Sequence, residues 1–170
     1  PIFTSGKYSP CPIIYLVDIS LLAKLTIKVN NHNLSRYCES PPPNNESGRH
    51  FIEGGPLYPP VDVLKILGTG EHAIQLWTKN CVRDVQNMSM DNSDVAALIS
   101  TALRKGRYIN SQWCVAKPGG AWAACDAYSV TQAEWVKYAR RYMNIEYYLK
   151  FAISQYGKLV LTVSCHVSKR

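Results

Sequence analysis

A phenol, an ammonium, a hydroxyl and an imidazole fall at alternate positions of two apolar stretches near the C-terminus: Tyr148 and Lys150 in the first, Ser164 and His166 in the second. Alternation makes both stretches strands, because successive side chains leave opposite faces. Tyr147, Leu149, Phe151 and Ile153 then form one side of the first strand, with Tyr148 and Lys150 on the other. In the second, Leu159, Leu161, Val163 and Cys165 go one way, and Thr162, Ser164 and His166 the other. Burying the two apolar sides together predicts a register that opposes Leu149 with Val163 across a three-residue loop, Gln155-Tyr156-Gly157, in which Gly157 takes the positive φ. Tyr148 is then expected near Ser164, with Lys150 and His166 on the same surface. Such a surface suits proton transfer or the binding of an anion.

The partner that this chemistry suggests is acidic. The chain carries a formal net charge of +7, and residues 101–170 contribute eleven Lys/Arg against three Asp/Glu. A basic segment that also holds aromatic strands points to nucleic acid or an acidic protein. With 170 residues, 46% hydrophobic and 18% charged, the composition is that of a globular chain with one good core. Six cysteines, Cys11, Cys38, Cys81, Cys114, Cys125 and Cys165, show no C-x-x-C pair, and most sit inside apolar patterns. They read as free thiols in a reducing cytosol. Cys165 and His166 are adjacent on one strand and point apart, so they do not suggest a shared zinc ion.

The rest of the chain must supply the elements that hold these residues. Residues 12–29 are apolar, but Asp18, Lys24 and Lys28 interrupt them, which argues against export or a membrane span. Residues 40–48, with three prolines and small polar residues, read as a linker. Residues 1–56 are therefore expected to be an extension, disordered or wrongly started, and residues 57–170 the folded domain. Pro59-Pro60 opens a helix with Val61, Leu64 and Leu67 on one face, stopped by Gly68 and Gly70. A strand is expected from Ala73 to Trp77. Thr78 caps a second helix carrying Cys81, Val82, Val85 and Met88, and Asp91 or Ser93 a third carrying Val95, Leu98, Ile99 and Ala102 up to Gly106. Arg107–Val115 and Trp122–Val130 read as strands around the turn Lys117-Pro118-Gly119-Gly120. Thr131-x-x-Glu134 has the form of a capping box, which predicts a fourth helix with Trp135, Val136, Ala139 and Met143 on its apolar face. The class is α+β, with helices on one face of an antiparallel sheet.

Four short signatures, Tyr108-Ile109-Asn110-Ser111, Asp126-Ala127-Tyr128, Tyr148-Leu149-Lys150-Phe151 and Val163-Ser164-Cys165-His166, occur in this order between Leu57 and Ser168. In order and spacing this stretch resembles the motility quorum-sensing regulator (MqsR) toxins, messenger-RNA interferases with a RelE-like fold. The resemblance implies a RelE/barnase-like toxin domain and an endoribonuclease of a type II toxin–antitoxin system. It implies no metal or cofactor, messenger RNA and a cognate antitoxin as partners, and a cytoplasmic location. The chain departs from the family pattern at three positions: Asn110 and His166 stand where lysines are usual, and Cys125 where a glutamine is.

Metal-independent cleavage of RNA needs the ribose 2′-hydroxyl to attack phosphorus, a group to take its proton, another to protonate the leaving oxygen, and a cation beside the phosphate. His166 is the candidate for proton transfer, Tyr148 for orientation or proton transfer, and Lys150 for electrostatic stabilisation. Arg107 and Lys117 are candidates for phosphate contacts, and Asn110 and Tyr128, within the first two signatures, for further RNA contacts. Asp126 is expected to bind backbone or a neighbour, and Trp113 and Trp122 to pack in the core. The competing reading is a catalytically impaired protein of the same fold that binds RNA or an antitoxin. Trp113–Gly120 also looks like the opening of a plant X8 carbohydrate-binding module, whose further cysteines are missing here.

Overall fold

Three helices precede the four long strands of the sheet, an order that lets the helices form one layer and the strands the other. The computed structural model describes residues 33–43 and 48–168. The elements are β1 (His50–Ile52), α1 (Pro60–Leu67), β2 (Ile74–Leu76), α2 (Lys79–Asn87), α3 (Asn92–Lys105), β3 (Arg107–Val115), β4 (Trp122–Val136), β5 (Arg141–Ile153) and β6 (Val160–Val167). The strands form one six-stranded sheet in the order β1-β3-β4-β5-β6-β2, antiparallel except for the β2–β6 pair. The fold is thus α+β. Among the described residues no helix is long and apolar enough to cross a membrane.

Local chemistry explains the helices. Thr78 Oγ1 accepts from the Cys81 amide at 3.0 Å, and Asp91 and Asp94 form a reciprocal capping box at the start of α3. On α3 the buried residues are Val95, Leu98, Ile99 and Ala102, as the periodicity predicts. At its end, a side chain on Gly106 would stand 2.5 Å from the Ala102 carbonyl and 2.6 Å from that of Ser129, so the chain passes too close to β4 for any other residue. On α1 the buried residues are Val63, Ile66 and Leu67, while Val61 is exposed, so the expected face is rotated.

The expected fourth helix is absent. Pairing of β4 with β5 runs without a break from Asp126↔Phe151 to Val136↔Arg141, and the chain turns at Lys137–Arg140. The Glu134 carboxylate, assigned by its spacing to a helix cap, instead accepts a 2.5 Å hydrogen bond from the Tyr147 hydroxyl across the hairpin. The Tyr147 phenol is pushed up by burial and by that carboxylate.

The β5–β6 hairpin also differs in register. Next to the turn, Ile153 opposes Val160 and Phe151 opposes Thr162; farther on, Lys150 opposes Ser164, Leu149 opposes Cys165 and Tyr148 opposes His166. Val163 is the additional residue between these two registers, a β-bulge. The bulge turns Thr162 into the core, where it is 0% exposed and its hydroxyl has no hydrogen-bond partner. Thr78 fixes the bulge: its hydroxyl donates to the Val163 carbonyl at 2.8 Å while capping α2. The loop has four residues, Gln155–Lys158, closed by Ser154 N to Leu159 O at 2.8 Å, with Gly157 at φ +67° as expected.

Before residue 57, two pieces join the sheet. Strand β1 pairs with β3, and residues 33–35 bridge the ends of β4 and β5 through Asn33↔Trp122 and Ser35↔Ser154. Ser35 is buried and accepts from the Ala124 amide. Residues 1–32, 44–47 and 169–170 lie outside the described residues, and with them the apolar stretch 12–29 and part of the expected linker. Cys81, Cys114, Cys125 and Cys165 are free and buried, as read from the sequence; Cys38 is disulfide-bonded, which corrects that reading at this residue.

Candidate functional site

Register sorts the side chains of β3 to β6 onto two faces. Tyr128, Val130, Tyr147, Leu149, Phe151 and Cys165 share the face that packs with the helices. On the other face, pairing across four strands produces two rows. One runs Arg107, Ser129, Tyr148, His166; the next runs Asn110, Ala127, Lys150, Ser164. The β3 bulge between Tyr108 and Asn110 makes this possible, because it returns Asn110 to the face that Arg107 occupies. Each row spans three strand spacings, about 14 Å. Small residues, Ala127 and Ser129, form its floor on β4, and longer ones stand on either side.

Within the first row the Tyr148 and His166 rings stack, centroids 5.3 Å apart and planes 22° apart. The Lys150 ammonium lies 5.5 Å from the centroid of the Tyr148 ring, a cation–π contact that keeps its charge on this surface. His166 Nδ1 is 3.0 Å from the Val167 carbonyl. A carbonyl only accepts, so the contact is a hydrogen bond when Nδ1 carries the proton. In the second row, the Asn110 Oδ1 is buried with no hydrogen-bond partner. An acceptor left in that state costs about 1–3 kcal/mol.

Beneath Lys150 lies a pair of thiols that the sequence reading did not connect. Cys125 is pushed well up by burial, then by its interaction with Cys114. Cys114 is held down, first by its interaction with Cys125, with Lys150 and Gln112 adding to the effect; Gln112 Nε2 donates to its sulfur at 3.6 Å. The pleat supplies the signal: Gln112, Cys114 and Cys125 share the face of Lys150.

Asp126 belongs to the opposite face. It is 0% exposed and accepts from the amides of Leu57 (3.0 and 2.9 Å) and Tyr58 (3.0 Å) and from the Ser111 hydroxyl (2.5 Å), which in turn meets the Tyr108 hydroxyl at 2.7 Å. Burial raises its carboxyl above the usual value, and the three donors oppose that rise. Its role is to tie the segment before α1 to the sheet.

Comparison with family models, with curated proteins and with solved structures gave no match. The placement of the candidates therefore rests on geometry. His166, Tyr148, Lys150, Asn110 and Arg107 share one face. Tyr128 does not join them; its side chain is 5% exposed and stacks on Phe151 under the helices, ring centroids 5.7 Å apart. Lys117 sits in the β3–β4 turn, seven residues beyond Asn110 and so roughly 20 Å along the strand. Trp113 and Trp122 pack into a second apolar cluster with Ala124.

Proposed function

We propose that the protein is an endoribonuclease of the mRNA-interferase type, with a RelE-like toxin fold, acting in the cytoplasm on single-stranded RNA and held in check by an antitoxin. The observation that carries this reading is the Tyr148–His166 stack beside Lys150. His166 Nε2 takes the proton of the ribose 2′-hydroxyl as O2′ attacks phosphorus. The P–O5′ bond breaks, leaving a 2′,3′-cyclic phosphate, and the Tyr148 hydroxyl protonates O5′. Lys150 faces the phosphate as negative charge grows on it, and Arg107, exposed at the end of the same row, holds a neighbouring phosphate.

One observation favours a second reading, a binding protein of the same fold. Cys125, at the family's glutamine position, is 0% exposed and offers RNA no contact. Purified protein and an unstructured RNA oligonucleotide separate the two. Cleavage that leaves cyclic phosphate ends and falls at least about a hundredfold in His166→Ala supports the nuclease. Undiminished cleavage by His166→Ala sinks the assignment, and tight binding without cleavage by the wild type supports the second reading.

A further inference from the structure

The β4–β5 hairpin continues beyond the sheet. Strand β3 reaches only to Arg107↔Ser129, and β6 to Val167↔Tyr147, so residues 131–146 form a two-stranded ribbon with no strand on either side among the described residues. Alternation carries the candidate face onto it: Ser129↔Tyr148, Thr131↔Glu146, Ala133↔Asn144 and Trp135↔Tyr142 lie on one side. Six residues separate Tyr148 from Tyr142, about 20 Å of strand. Two-stranded ribbons twist strongly, so this strip winds as it leaves the sheet.

At its far end Trp135 and Tyr142 touch edge to face, centroids 5.4 Å apart, and are 57% and 70% exposed. Trp113 and Trp122, by contrast, are 8% and 7% exposed. Large rings left in water at the end of a strip that starts at a proposed active site are suited to stacking on a flat, charged partner. The charge agrees: Lys137, Arg140 and Arg141 cluster at the turn, and the Glu134 carboxylate on the other side is engaged by Tyr147. Glu146 is the one carboxylate on the strip itself.

We infer that this ribbon is a docking arm for single-stranded RNA: the strand leaving the Tyr148–His166 row follows the same face of β4 and β5 and stacks its bases on Trp135 and Tyr142. The inference rests on RNA being the ligand of that row. A pair of exposed rings beside the three cations of the turn, Lys137, Arg140 and Arg141, favours an anionic strand with flat bases over a protein partner, which would call for a continuous apolar patch.

The test uses the full chain and uncleavable 2′-O-methyl oligonucleotides, a dodecamer and a dinucleotide, with binding read by anisotropy and cleavage of an unmodified RNA measured in parallel. Trp135→Ala and Tyr142→Ala should each weaken the dodecamer roughly tenfold and leave the dinucleotide unchanged, while Trp135→Tyr and Tyr142→Phe restore most of the loss. Glu146→Gln should tighten the dodecamer. Equal dodecamer affinity for the double Ala variant and the wild type overturns the arm, even where cleavage at His166 persists. Absence of both binding and cleavage in the wild type overturns the RNA reading with it.

Discussion

Asp126 and Ala127 are neighbours on β4, yet the pleat assigns them to opposite kinds of surface. On the Asp126 side, each donor finds an acceptor: two amides and a hydroxyl converge on one buried carboxylate. On the Ala127 side, Tyr148, His166, Lys150 and Asn110 are only half buried, and Tyr148 meets both His166 and Lys150 through its ring face. A polar group whose bonds are all made within the chain holds the fold; one with a free lone pair is available to a ligand. The contrast teaches that residue type alone did not separate scaffold from site. Hydrogen bonding within the chain distinguishes the two sides of β4 at this point, and the proposed site takes the less bonded one.

The sharpest way to break that contrast is to empty the saturated side. Asp126→Ala leaves the Leu57 and Tyr58 amides and the Ser111 hydroxyl without their acceptor, and is expected to cost about 3 kcal/mol or more in urea unfolding. A loss under about 1 kcal/mol would show that the bracket is dispensable. The same residue sets a pH dependence. Its carboxyl is raised in the folded state above the ordinary 3.8, so the native chain binds the proton more tightly than the unfolded one. Its contribution is therefore fully present below about pH 4 and is lost as pH rises through the higher folded value. Asp126→Asn should flatten that part of the stability–pH curve; an unchanged slope would assign it to other groups.

Much of this arrangement was legible in the sequence, and the failures have physical causes. The boundaries of β3 and the buried residues of α3 followed from periodicity and caps, because both depend on local spacing. The gathering of Tyr148, Lys150 and His166 on one face also followed from alternation, although the partners shifted: Tyr148 opposes His166 rather than Ser164. What alternation could not supply was the Val163 bulge, since an additional residue in one strand is fixed by Thr78 from a distant helix cap. Nor could it place Tyr128, which one step of the pleat sends under the helices. The ribbon was misread for a related reason. A capping-box pattern is four residues long, whereas the strand pairing that overrode it extends over the whole hairpin.

The bulge offers a milder test of the same contrast. Thr162 is a polar group on the saturated side that has no partner, an exception to the rule just drawn. Thr162→Val keeps the shape and removes the hydroxyl, so it is expected to stabilise the fold by about 1 kcal/mol. Thermal unfolding would register this as a raised midpoint with activity unchanged. A lower midpoint would mean that the hydroxyl is satisfied after all and that the core at β6 is more polar than its residues suggest.

The smallest expected effect is the most discriminating. Among the described residues, His166 has one polar contact, with the carbonyl of its own neighbour, and one ring contact, with Tyr148. Both lie on the half-buried face rather than in the core, so His166→Ala should change unfolding free energy by no more than about 0.5 kcal/mol, the range of surface substitutions. Tyr148→Phe should be equally mild, because the stack survives and only the hydroxyl is lost. If both variants unfold like the wild type while RNA cleavage collapses, the half-buried face is a site built on the scaffold rather than part of it. If His166→Ala instead destabilises the chain by 2 kcal/mol or more, on the order of a buried-core change, the imidazole belongs with Asp126 among the groups that hold the sheet together, and its stack with Tyr148 is packing.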